Sequence, residues 1–312
     1  MTMVTEKTYL IPTTIKEAMA MAKANPGSFK YLAGGTDIMV NRFHGNEDSP
    51  CIIDISKIND LKGISKEGDY LRIGALEILE ELKFKKEIKE EFPLLIKAAL
   101  SVGAPLLRKT ATIGGNVLCE NRCLFYNQSE WWRESVGFCL KCEGDVCIAT
   151  KGKKVCYSEL VSDTAPALIA MDALVELADI DKTGQVKLES IYTGDGVTPR
   201  NLPETAILTA ILLPLNREFK TDFYKLRERE SLEFTSLTSA VAVDNKGKLK
   251  IALSGVDPKP VVVNGTVNDN KTELITKAKR GARAIENDMY SRKYRREMIG
   301  VYLNRSFKSL NI

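Results

Sequence analysis

Lys30-Tyr31-Leu32-Ala33-Gly34-Gly35-Thr36-Asp37 reads as a short buried strand that runs into a glycine pair and then into a helix capped by Thr36 and reaching about Arg42. A strand, a glycine pair and a capped helix start aim several backbone N–H groups and the positive end of the helix at one point, which makes an anion site. Thr112-Ile113-Gly114-Gly115-Asn116 repeats the pattern. Glycine has no Cβ and tolerates positive φ, so such turns let the backbone approach a ligand closely. Two of them suit the two phosphates of a dinucleotide. Neither carries the G-x-G-x-x-G spacing, so a Rossmann fold is not implied.

Six of the seven cysteines follow the second turn: Cys119, Cys123, Cys139, Cys142, Cys147 and Cys156, with only Cys51 elsewhere. An odd number of cysteines in 312 residues, behind the polar start Met1-Thr-Met-Val-Thr-Glu-Lys7, argues against a secreted disulfide framework and for a reduced cytoplasmic setting. Two metal readings stay open on spacing. Cys119-x3-Cys123 with Cys139-x2-Cys142 is acceptable for a closed zinc site, and any four of the six suit an iron-sulfur cluster.

Composition removes other classes. Lys and Arg total 45 against 41 acidic residues, and a net charge of +4 gives no case for nucleic acid. The longest apolar stretch, around Ala165 to Ala178, is broken by Asp172 and Glu176, so no membrane span is expected. His44 is the only histidine. A Ser-His-Asp triad or a multi-histidine metal site has almost no material to work with, and any enzymatic chemistry is expected to fall to a cofactor.

The remaining elements are read from periodicity. Thr14-x-x-Glu17 opens a helix to about Ala24, and Cys51 to Asp54 and Tyr70 to Ile73 are strands. Residues 86 to 101 read as one amphipathic helix with Pro93 early in it. Ala173 to Ala178 and Ile207 to Leu213 are strands. After about residue 215 come an antiparallel meander, with a turn at Asn245-Lys-Gly247, and two charged helices, about 270 to 287 and 291 to 304. Phe125, Tyr126, Trp131 and Trp132 are expected to form a small satellite core that also shields the cysteines.

In order and spacing, Leu32-Ala-Gly-Gly-Thr-Asp37, Thr112-Ile-Gly-Gly-Asn116, Ser162-Asp163 and the strand Ile207 to Pro214 resemble the FAD-binding medium subunit of the xanthine dehydrogenase, or molybdenum hydroxylase, family. The resemblance runs over nearly the whole chain. The cysteine-rich insertion, with Glu120-Asn-Arg-Cys-Leu-Phe-Tyr-Asn-Gln-Ser-Glu-Trp-Trp-Arg133, is similar to that of the 4-hydroxybenzoyl-CoA reductase β subunits, which carries a [4Fe-4S] cluster. The implied fold is α+β: a two-part FAD-binding region of the vanillyl-alcohol-oxidase/PCMH type over 1–215, then a small C-terminal domain of antiparallel strands plus helices over 216–312. The first subdomain spans about 1–60 and the second about 61–215, with the insertion at about 119–160.

The resemblance also implies site residues. FAD falls to Leu32, Ala33, Gly34, Gly35, Thr36 and Asp37, to Thr112, Ile113, Gly114, Gly115 and Asn116, and to Asp163, Leu208 and Lys225. Lys225 is expected at the isoalloxazine edge, where its charge stabilises reduced flavin. Cys123, Cys139, Cys147 and Cys156 are the implied cluster ligands, with Cys119 and Cys142 spare. The implied role is an electron-transfer subunit in a dimer of heterotrimers, between a ferredoxin-like donor, a small [2Fe-2S] subunit and a large molybdenum subunit. The implied net reaction is reductive dehydroxylation of 4-hydroxybenzoyl-CoA. The alternatives are a hydroxylase flavin subunit that delivers electrons to NAD, and a non-redox binding module with structural zinc.

Overall fold

The computed structural model describes residues 7–179 and 183–312; the polar opening, Met1 to Glu6, lies outside them. β1 (Thr8–Leu10), β2 (Phe29–Leu32) and β3 (Cys51–Asp54) form a parallel sheet in the order β1-β3-β2. Parallel neighbours need crossovers. These are supplied by α1 (Ile15–Ala24), between β1 and β2, and α2 (Ile38–Phe43), between β2 and β3. Thr14 caps α1 by accepting the Glu17 N–H at 3.1 Å, and Glu17 reaches back to the Thr13 N–H at 2.7 Å. Ala18, Met19 and Ala22 of α1 pack with Phe29, Cys51 and Ile53, so Cys51 serves as a small core residue.

The middle of the chain builds a second sheet. β4 (Ile64–Glu67) and β5 (Tyr70–Gly74) form its first hairpin. The chain then leaves the sheet for α3 (Lys86–Glu91), α4 (Pro93–Ser101), α5 (Pro105–Arg108), α6 (Ile113–Val117), α7 (Glu130–Val136) and α8 (Thr164–Ala170). It returns as β6 (Leu174–Ala178), β7 (Thr183–Lys187) and β8 (Ile207–Pro214), and the antiparallel order is β4-β5-β8-β6-β7. The single helix expected over 86–101 is two. Pro93 has no N–H to give and its ring clashes with the preceding turn, so the helix stops at Glu91 and restarts with Pro93 as its first residue.

β9 (Phe219–Leu226), β10 (Leu237–Asp244), β11 (Lys248–Ser254) and β12 (Val261–Thr266) form an antiparallel meander, followed by α9 (Lys271–Gly281) and α10 (Arg292–Ser309). Every residue of β10 is buried, which requires cover on both faces. Val241 and Val243 face the core under α9 and α10, while Ala240 and Ala242 join the core built on α4 and α8. The first C-terminal helix is expected to reach 287 but ends at Gly281, and β4, β7 and β12 add strands not read from the sequence. The result is an α+β molecule of parallel and antiparallel layers that ends in antiparallel strands plus helices, as the sequence suggests.

Candidate functional site

The loops after β2, before α6 and before α8 meet around one cleft of about 440 Å³, within the range of small-molecule sites. Of the fourteen residues expected to hold FAD, Ala33, Gly34, Gly35, Thr36, Asp37, Thr112, Gly114, Gly115, Asn116, Asp163 and Leu208 line it. Leu32 ends β2 opposite Asp54, Ile113 is wholly buried in the main core, and Lys225 stands behind Asp163. None of these three lines the cleft.

The two glycine turns do different work. At the first, the N–H groups of Gly34, Gly35, Thr36 and Asp37 donate to no protein group among the described residues, so they are open to an anion. Gly35 has φ of +73°. A Cβ on Gly34 would stand 1.9 Å from the Thr110 carbonyl oxygen, so its glycine is required by the neighbouring strand of chain. At the second turn the N–H groups of residues 113 to 116 are all used. Ile113 donates to Glu77 O, Gly114 to Ala75 O, Asn116 to Thr112 O, and Gly115 to the Thr112 hydroxyl at 3.1 Å. That turn offers surface and side chains rather than free amides. Thr36 was expected to cap α2, but the cap position is Asp37 and no side chain caps it. The Asp37 carboxylate is already committed, because it accepts from Glu120 N at 2.9 Å and from the Arg122 guanidinium.

Asn116 ties the second turn to the loop before α8: its Oδ1 accepts from Ser162 Oγ at 2.9 Å and Thr164 Oγ1 at 2.6 Å. Asp163 is 3% exposed and accepts from Lys225 Nζ at 2.6 Å and Thr238 Oγ1 at 2.9 Å. Burial pushes its carboxyl up, and the Lys225 ammonium pulls it back. Lys225 spends its other donors on Ser101 O and Glu233 O. Leu208 sits beside a register shift at Glu176/Leu177, an irregularity that re-aims a strand next to a site.

Sequence reasoning missed several lining residues. Leu232, Glu233 and Phe234 come from a charged loop without periodicity, and Cys119 opens onto this cleft rather than toward the other cysteines. Phe234 carries the Arg122 guanidinium 4.7 Å from its ring centroid, although no local pattern links residues so far apart.

A second, small cavity lies in the insertion. Its lining includes Cys123, Cys139, Cys147 and Cys156, with Phe125, Tyr126, Ile148 and Ile285. Cys142 lies outside it, and its thiol is hydrogen-bonded to Cys139. Cys139 and Cys142 meet, but Cys119 lines the larger cleft, so the four thiols that zinc spacing would use do not share one cavity. Among the described residues no three His, Cys, Asp or Glu side chains converge as ligands of one ion. A cubane cluster asks for something else, four thiolates around a common space in a mostly apolar shell. Four thiols and a largely apolar lining of that kind surround this cavity, whose volume here is about 20 Å³. Ser158 N donates to the Cys156 sulfur at 3.5 Å, while Tyr126 N and Cys142 N donate to the carbonyl oxygens of Cys123 and Cys139. The thiol of Cys142 and nearby backbone amides bring Cys139 down to about 6, whereas burial holds Cys123 up at about 12.

Around this cavity the expected aromatic core is incomplete. Tyr126 is buried, Phe125 and Trp132 stand 6.4 Å apart, and Trp131 is 74% exposed. The C-terminal segment closes the cavity instead. Ile285 lines it, Leu124 N donates to Asn287 O, and Arg295 of α10 is fully buried against Glu159.

Residues 3–216 match the family model described as the FAD binding domain in molybdopterin dehydrogenase. The chain belongs to this family. FAD is accordingly its cofactor, and it is a subunit of the molybdenum hydroxylase class of oxidoreductases. Over 81% of its length it is 29% identical to the aldehyde oxidoreductase FAD-binding subunit PaoB of Escherichia coli (strain K12), covering 82% of that protein. It is 27% identical to the nicotinate dehydrogenase FAD-subunit of Eubacterium barkeri, over 77% of this chain and 70% of that one. The fold is that of a chain of Cu,Mo-CO dehydrogenase in its cyanide-inactivated form, with a TM-score of 0.77 at 20% identity, covering 97% of this chain and 96% of that one. No helix among the described residues is long and apolar enough to cross a membrane.

Proposed function

We propose that this chain is the electron-transfer subunit of a molybdenum-containing complex, with FAD in the larger cleft and a [4Fe-4S] cluster held by Cys123, Cys139, Cys147 and Cys156. The chemistry those groups supply is electron transfer, from a low-potential donor of the ferredoxin kind toward [2Fe-2S] and molybdenum centres on partner subunits. The observation that carries the reading is that the four thiols implied by the insertion share one cavity, while Cys119 and Cys142 do not line it. The chain's own residues supply the rest. Amides at Gly34 to Asp37 offer donors to a pyrophosphate, Asn116 and Thr112 fix the facing turn, and Asp163 presents a paired carboxylate. On the same reading, 1–215 is the flavin region and 216–312 the C-terminal domain. The similarity of the insertion to 4-hydroxybenzoyl-CoA reductase β subunits favours reductive dehydroxylation of that thioester on another subunit.

The names of the relatives, an aldehyde oxidoreductase and a nicotinate dehydrogenase, favour a second reading in which electrons leave through the flavin to NAD or another acceptor. Anaerobic purification with its partners, followed by iron, zinc and flavin quantitation, tests the first. It expects about four irons and one FAD per copy beyond the partners' clusters. Cys147→Ser should lose that iron and keep FAD, whereas Cys142→Ser should keep both. Zinc without the extra iron refutes the cluster, and rapid bleaching of the flavin by NADH supports the second reading.

A further inference from the structure

The wall between the two cavities is charged, and each part of it is anchored. Asp37 lines the flavin cleft and accepts the Glu120 N–H. The Glu120 carboxylate accepts from Lys141 Nζ, and Lys141 lines the cysteine cavity. Its side chain is 5% exposed, donates also to Gly196 O, and holds Nζ 5.0 Å from the centroid of the Tyr126 ring. Gly196 in turn donates to Cys156 O at 2.8 Å, and a Cβ there would stand 2.8 Å from the Cys156 sulfur. The ammonium is thus fixed beside the cysteine loops with no freedom to swing into water. Its counter-ion, the Glu120 side chain, is about a third exposed, while the backbone N–H of the same residue donates to Asp37.

We propose that Lys141 sets the reduction potential of the cysteine cavity, as a fixed cation that favours the reduced, more negative state of a cluster bound by Cys123, Cys139, Cys147 and Cys156. This rests on the [4Fe-4S] reading above. Net charge, hydrogen bonding to sulfur and exposure are the levers that tune such a cluster, and Lys141 acts through the first. The electrostatics have the required asymmetry. Lys141 lines the cysteine cavity, whereas Glu120 lines neither that cavity nor the flavin cleft. The cation therefore faces the cysteine cavity directly, and its counter-ion stands outside that lining. Lys141 touches no reacting atom and is a positioning residue.

The test is a potentiometric titration of the [4Fe-4S] paramagnetic signal in the assembled complex, after the irons have been counted. Lys141→Met should lower the midpoint by at least a tenfold change in the redox equilibrium, about 59 mV for one electron. Glu120→Gln, which keeps the acceptor oxygen but removes the counter-charge, should raise the midpoint. Lys141→Arg should restore most of the loss. A merely structural lysine would cost iron without this opposition of sign. An unchanged midpoint in iron-replete Lys141→Met overturns the proposal, and so does Glu120→Gln that leaves the midpoint in place or lowers it. Should Lys141→Met not retain its iron, Glu120→Gln decides alone. If the unaltered protein lacks the four irons, the cluster reading fails first, and the iron count identifies that failure.

Discussion

Asp37, in the first glycine turn, and Arg122, in the cysteine-rich insertion, form an ion pair at the edge of the cleft proposed for FAD. The Arg122 side chain is 8% exposed, stacks on Phe234 and also reaches Asn41. The insertion is therefore part of the wall of the cleft. Arg122→Met should weaken FAD binding by about tenfold, or roughly 1.4 kcal/mol, even though Arg122 does not line the cleft. Flavin fluorescence during dialysis measures it. Retention equal to the unaltered protein would mean the pair only fastens two loops.

The two glycine turns should respond differently to a side chain. At Gly34 an added methyl would meet the Thr110 backbone at 1.9 and 2.7 Å, and neither atom can move aside cheaply. Gly34→Ala should cost about 1–3 kcal/mol of stability or more, read as a lower Tm of the flavin-free chain. At Gly115 the nearest atom is the Thr112 hydroxyl, at 2.9 Å. Gly115→Val should leave the fold and abolish flavin binding, because its bulk enters the cleft. Stoichiometric FAD in Gly115→Val would remove the second turn from the site.

Much of this architecture was legible because it is local. The strand before the first glycine pair, the Thr14 cap and the 245–247 turn are all written within a few residues. Pro93 and Gly281 were legible punctuation whose weight was underestimated in favour of the apolar periodicity around them. Val261-Val-Val263 of β12 is a β-branched run that sequence could have yielded. What could not be read is what the fold brings together from a distance. Asp37 meets Arg122, Lys225 turns inward to Asp163, Cys119 faces the larger cleft, and Cys142 stays out of the small cavity. Spacing along a chain is silent on which side of a loop a thiol faces.

Glu159 gives a pH dependence with a defined sign. It is 3% exposed beneath Arg295, and burial pushes its carboxyl from the usual 4.5 to about 8 against the pull of that guanidinium. The folded state then binds a proton more readily than the unfolded chain. The stability this confers is complete below about pH 4.5 and is lost as pH rises toward 8. The unfolding midpoint should fall across that window, and Glu159→Gln should flatten the fall. An unchanged slope in the variant would assign the dependence to other groups.

Lys225 offers the clearest separation of two roles. The resemblance implies a cation at the flavin edge, whereas in the structure its side chain is 4% exposed and paired with Asp163, whose own side chain is 4% exposed. Removing one partner of a buried pair leaves an uncompensated charge, at about 3–5 kcal/mol. Lys225→Met should therefore destabilise the fold and lose FAD together, because Asp163 must take up a proton or leave the cleft wall. The double variant Lys225→Met/Asp163→Asn removes both charges and should recover much of the stability, a coupling of a few kcal/mol measured by a double-mutant cycle. If its flavin also returns with a near-normal reduction potential, Lys225 serves the cofactor only through Asp163. A restored fold whose flavin is markedly harder to reduce would show instead that the lysine charge itself acts on the flavin.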